Sequence, residues 1–217
     1  MEHPRLNESQ RLPHRTSNSF DMSIPAWGDG GRGHAGVVGP GTTSQTNEFY
    51  RNGHLVARAD GSGIGVEDMP ATRSRYRLVT TTERAEGYPY STATRTEWAF
   101  ASGAPRSDDP QVLPLLQLDY GIRTDTGGAA RRDAELTVAA SALPGVSSGP
   151  VCTDLVEVSY DDGRTWHQLV RHGAGDGAAR VRLDAPKRAR YLSLRVHASD
   201  QRGDTVTQTV IRATGLA

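Results

Sequence analysis

One cysteine, one lysine and an aromatic content of 6% are the scarcities of this 217-residue sequence. A lone Cys152 rules out an internal disulfide and a cysteine-based metal site. Its apolar setting predicts a buried, inert thiol. Every cation except Lys187 is arginine, a bias that speaks to origin rather than chemistry. Net charge is also lacking: 25 basic and 25 acidic side chains cancel. No general field draws the chain to nucleic acid or an anionic membrane, so neither is expected as a partner. No run of 18 apolar residues exists, which excludes a helical membrane span. The stretch "MEHPRLNESQRLPHRTSNS" has no apolar core of a signal peptide, so the chain, standing alone, is expected to be soluble and cytoplasmic.

Long helical periodicity is missing too, and what fills its place is strand pattern. Residues 1–20 are polar, aperiodic and proline-bearing, which predicts disorder. A β-rich domain is expected over 21–105, with a glycine-rich loop at 28–46. In "NEFYRNGHLVARAD", Asn52-Gly53 sits between two half-apolar runs and predicts a hairpin. The runs 76–83 and 92–102 alternate and are rich in Thr, Tyr, Trp and Phe, as paired half-buried strands are. The Gly, Pro and Asp of "SGAPRSDDPQ" read as a linker, placed at 106–111. Seven strand-like runs follow, at 112–120, 134–141, 153–160, 165–171, 179–184, 190–198 and 205–213. Short strands at this spacing predict an immunoglobulin or fibronectin-III type antiparallel β-sandwich over 112–217, so the fold class is all-β.

The stretch "SYDDGRTW" (159–166) fits the Asp-box pattern Ser-x-Asp-x-Gly-x-Thr-Trp. Each position has a structural task. Gly163 can take positive φ, Asp161 can accept amide hydrogen bonds, and Ser159, Thr165 and Trp166 frame the turn. Propellers repeat such boxes once per blade of about 40–50 residues. This chain has no second copy, so the box reads as a turn and not a catalytic element. "GRGHAG" (31–36) has the letters of a dinucleotide fingerprint but no helix pattern after it, and no cofactor is expected. "TDTGG" (124–128) lacks the second Asp-Thr/Ser-Gly that aspartic-protease chemistry needs, and reads as a turn. "RGD" (202–204) reads as a strand-to-strand tip. The histidines show no metal-ligand spacing, and no metal is expected, although Asp108, Asp109, Asp161 and Asp162 are acidic pairs of the kind that line surface calcium sites.

Taken in order, Ser159–Trp166, "YLSLR" (191–195), "ASDQRGD" (198–204) and "VTQTVIRA" (206–213) resemble the C-terminal end of large secreted subtilisin-like serine peptidases (S8 family) of high-GC bacteria. The segments "IPAWGDGG", "EFYRNGHLVA", "YRLVTTTER" and "TRTEWAFAS" resemble what precedes it, so the likeness spans about residues 20–217. Asp204 stands where Asn is more usual. The catalytic triad does not come with the likeness: His34, Ser44 and Asp125 fall in the wrong order and outside a parallel α/β pattern. The resemblance implies a non-catalytic accessory module with a structural, stabilising or attachment role. It would be extracellular as part of its parent, and its partner would be the parent catalytic domain, in cis or in trans, or an extracellular protein or glycan. The rival reading is a carbohydrate-binding module stacking sugars on Trp27, Trp98, Tyr160 and Trp166; a free-standing hydrolase is the third.

Overall fold

The computed structural model describes residues 2, 6, 11–28, 35–36, 43–173, 175 and 178–217, and among them every regular element is a strand. The first half contributes β1 (His14–Arg15), β2 (Phe20–Ser23), β3 (Trp27–Gly28), β4 (Ala35–Gly36), β5 (Thr43–Arg51), β6 (His54–Asp60), β7 (Gly63–Val66), β8 (Ser74–Arg84) and β9 (Ala93–Ser102). The second contributes β10 (Gln111–Val112), β11 (Leu116–Ile122), β12 (Ala129–Ala130), β13 (Glu135–Ala142), β14 (Val151–Ser159), β15 (His167–Gln168), β16 (His172–Gly173), β17 (Ala179–Arg182), β18 (Tyr191–Asp200) and β19 (Thr205–Leu216). The chain is therefore all-β, and its pairing is antiparallel except where β12 runs parallel to β19.

A nine-stranded sheet in the order β15-β14-β18-β19-β9-β8-β5-β6, with β12 beside β19, is the backbone of the molecule. Two four-stranded sheets, β10-β1-β2-β7 and β11-β13-β17-β16, contribute to the same hydrophobic core. Alternation explains the layering: in β18 Leu192, Leu194, Val196 and Ala198 are buried while Arg195 and His197 face out. In β9 the buried set is Thr94, Thr96, Trp98, Phe100 and Ser102. Phe20, Phe49, Tyr76 and Phe100 form an aromatic cluster with neighbouring centroids 4.8 to 6.5 Å apart.

Four expectations are corrected here. The stretch 106–111 does not divide two independent units: β19 pairs with β9 over Thr205–Ile211, and β10, just past the supposed linker, pairs with β1. Disorder over 1–20 fails for residues 11–20, where β1 buries His14 and Arg15, and Leu6 is buried with its amide donating to Gln117 Oε1. Cys152 is exposed, because a register shift between Thr153 and Leu155 turns Thr153 inward and leaves the thiol outside. Of the expected strand 165–171 only His167–Gln168 is extended. Most of the glycine-rich loop 28–46 and of "GRGHAG" lies outside the described residues; Ala35–Gly36 pairs with Trp27–Gly28, and Thr43 onward is strand. β5 and β6 pair across Asn52-Gly53, whose φ values are 49° and 85°. β8 and β9 pair from Ser74↔Ser102 to Glu83↔Ala93.

The full burial of Arg15 is unusual, since guanidinium groups are almost never taken wholly from water without a counter-charge. Here the charge lies over the Phe20 ring at 4.7 Å and the Tyr76 ring at 5.8 Å, and Nη2 donates to Pro70 O at 2.6 Å. A buried polar row, Asn47, Thr80, Thr96 and Gln208, crosses β5, β8, β9 and β19. Thr80 Oγ1 donates to Asn47 Oδ1, and Gln208 Nε2 to Thr96 Oγ1, both at 2.8 Å.

Candidate functional site

Every oxygen of the Asp161 carboxylate is engaged inside its own turn. Oδ1 accepts from Ser159 Oγ at 2.7 Å and from the Thr165 amide at 2.9 Å, while Oδ2 accepts from Thr165 Oγ1 at 2.6 Å. Ser159 Oγ in turn accepts from the Gly163 amide at 2.9 Å. Asp162 and Gly163 take φ of 59° and 84°, the two positive values of a type I′ corner. A Cβ on Gly163 would meet Ile211 Cδ1 at 2.9 Å, so glycine is required here twice, for conformation and for room.

From this corner a chain of arginine–aromatic contacts runs toward the other half of the molecule. Asp162 holds Arg212 through two bonds, Nε to Oδ1 at 3.0 Å and Nη2 to Oδ2 at 2.8 Å. The Arg212 guanidinium lies over Tyr191 at 4.7 Å, and Tyr191 meets Tyr90 edge-on at 6.3 Å. Tyr90 OH donates to Gly127 O, and its ring fills the space beside Gly128 and Gly215, where an added Cβ would stand 2.9 Å from it. Arg84, whose Nη1 donates to Tyr90 O, covers the Trp27 ring at 4.1 Å and reaches Glu2. Sequence reading missed Arg212, Tyr90 and Arg84. No local sequence signal marks them; Arg212 sits in a β-bulge at φ 52°, which only the pairing of β18 with β19 reveals.

The electrostatics follow the hydrogen bonds. The Thr165 hydroxyl and amide, then the Ser159 hydroxyl, hold the Asp161 carboxyl well below the usual carboxylate range, and Arg212 lowers Asp162 in the same way. A carboxyl depressed on folding stabilises the folded state above its unfolded pKa, and that stabilisation is lost as pH falls toward the folded value. Asp161→Asn is therefore expected to lower Tm at pH 6 to 7, and the gap from wild type is expected to narrow steadily below pH 4. Scanning calorimetry across pH checks this, and a gap that widens in acid contradicts it.

The sugar-stacking candidates do not converge. Trp27 and Trp98 are buried at 6% and 3% exposure, and Trp98 Nε1 donates to Leu116 O at 2.7 Å. Trp166 is half-buried with the Arg195 guanidinium over it at 4.5 Å, and Tyr160 stacks beside His167 at 6.4 Å. Asp125 Oδ1 accepts the Gly127 and Ala129 amides, closing the 124–128 turn on itself. In the Arg202–Asp204 tip, Asp204 is 3% exposed. Among the described residues no three His, Cys, Asp or Glu side chains group as metal ligands would. Compared with protein-family models and with curated proteins, the chain finds no match in either.

Proposed function

We propose that residues 116–216 are an immunoglobulin/fibronectin-III-like sandwich, and that the whole chain is a non-catalytic accessory β-module with a stabilising or attachment role. The sheet orders support the first part: β11-β13-β17-β16 and β15-β14-β18-β19 correspond to strands A-B-E-D and C′-C-F-G of that architecture. The observation that carries the second is the Asp161 corner, whose hydrogen-bonding capacity goes into its own turn and whose neighbour Asp162 ties it to β19. A general acid or base needs a carboxyl near its working pH and within reach of substrate; Asp161 is displaced the other way. The resemblance to the tail of subtilisin-like peptidases supplies the expected parent.

The test is genomic and then kinetic. The upstream reading frame is expected to carry Asp, His and Gly-Thr-Ser blocks. The catalytic chain so identified, expressed with and without these 217 residues, is expected to keep its turnover of a short chromogenic peptide and to lose thermal half-life several-fold without them. Retention on a glycan array, or peptide turnover by the chain alone, would overturn the reading.

A further inference from the structure

A 220 Å³ cavity lies between the turn joining β18 to β19, β10 with the residues that follow it, and the turn at Gly145. It shares its Arg73 and Gln111 wall with a wider groove of 710 Å³. Asp204, 3% exposed, lines the cavity together with Ser102, Ser147, Gln111, Arg73 and Arg202. One carboxylate oxygen, Oδ1, accepts the Ala101 amide at 3.1 Å. Arg73 and Arg202 act on Asp204 through space, yet neither makes an ion pair with it among the described residues. Burial, with the charge of Asp200 added, pushes the Asp204 carboxyl above its usual range against the pull of the Ala101 amide and the two arginines. A buried carboxylate and two guanidinium groups thus line one small space without meeting, and the Ala101 amide and the separated arginines offset only part of the cost of desolvating Asp204.

We propose that this cavity binds a small zwitterion of the α-amino-acid type, its ammonium on Asp204 and its carboxylate on Arg73 and Arg202. Charge decides the class. A cation alone would pair with Asp204 while facing two arginines, and an anion alone would face the buried aspartate. A molecule with both signs a few ångströms apart satisfies all three groups; Arg202 Nη2 donates to Ser147 Oγ at 3.3 Å, a bond to a neutral hydroxyl that leaves the guanidinium without a counter-charge. Size agrees: the cavity exceeds the space of a single water but falls below the roughly 300–1,000 Å³ that drug-sized ligands occupy.

The full chain, labelled with nitrogen-15, is titrated with L-alanine, ethylammonium and acetate, following the Ala101 and Asp204 amides. L-Alanine is expected to shift both saturably with a dissociation constant of about 1 mM, the cation and the anion at least about tenfold more weakly. Asp204→Asn keeps the acceptor for Ala101 and removes the charge; Arg73→Gln alters an exposed side chain that bonds to none of the described residues. Both are expected to fold and to weaken L-alanine about tenfold or more. Absence of saturation, acetate or ethylammonium binding as well as L-alanine, or Arg73→Gln binding like wild type would each overturn the assignment. Should Asp204→Asn prove poorly folded, Arg73→Gln and the two half-ligands still decide.

Discussion

Trp98→Ala is expected to lower Tm by about 6 to 20 °C. Removing a buried tryptophan ring costs about 3–5 kcal/mol, and each kcal/mol is worth roughly 2–4 °C at this size. The ring sits between Leu78 on β8 and Val206 on β19 in register, and its indole N–H is the donor to Leu116 O at 2.7 Å. Deletion therefore leaves a cavity and a buried carbonyl without its donor at the point where β8, β9, β11 and β19 come together. Set against a total stability of about 5–15 kcal/mol, that loss is a large fraction. Trp98→Phe separates the parts: it keeps most of the ring and removes only the donor, so about 1–3 kcal/mol is expected. Chemical denaturation followed by circular dichroism checks both variants. A loss under about 1 kcal/mol for Trp98→Ala would mean that the ring does not hold the halves together.

Local strand pattern was legible because it depends on one property, alternation. In "YLSLRVHASD" Leu192, Leu194, Val196 and Ala198 are buried as alternation predicts, although a register shift between Leu192 and Leu194 buries Ser193 as well, and Asn52-Gly53 and Asp162-Gly163 announce their corners through residues that tolerate positive φ. Neighbours were not legible. A half-buried strand reads the same whichever strand supplies its hydrogen bonds, so nothing in "TRTEWAFAS" distinguishes an outer strand of a first domain from one continuous with β19. Gln111–Val112 is too short to show alternation, and the prolines beside it read as linker although it closes on β1. Arg15 falls in a stretch that reads as disordered and Asp204 in one that reads as a tip between strands; their burial depends on rings, carbonyls and an amide far away in sequence. Cys152 failed for a related reason, since one irregularity in pairing reverses which side of the sheet a residue faces. The Asp161 turn could be foreseen as a turn because its partners lie within four residues; the tie from Asp162 to Arg212 spans 50 and could not.

Cutting the chain between β9 and β10 is expected to give three different outcomes, depending on how the pieces meet. Trypsin cleavage after the exposed Arg106 should leave a nicked protein that elutes as one species, because β19 remains paired to β9 over seven residues and β10 to β1. Residues 112–217 expressed alone keep both of their sheets, but β19 becomes an open edge with a row of unpaired amides and carbonyls. This piece is expected to show a folded circular-dichroism spectrum and to self-associate as concentration rises. Residues 1–105 alone lose more. Trp98 loses its Leu116 acceptor, β1 loses β10, and the buried Phe20, Phe49, Tyr76 and Phe100 remain in a piece from which Leu113, Leu115 and Leu116 of the common core are gone. Each such large apolar side chain returned to water costs about 1.5–3 kcal/mol, so uncovering even three of them consumes most of what a small domain has to spare. No cooperative thermal transition is expected for that piece, and mixing it with 112–217 should restore one. Independent, sharp transitions for the two pieces, with no gain on mixing, would mean that the pairing of β9 with β19 is an accident of proximity rather than the seam on which the fold depends.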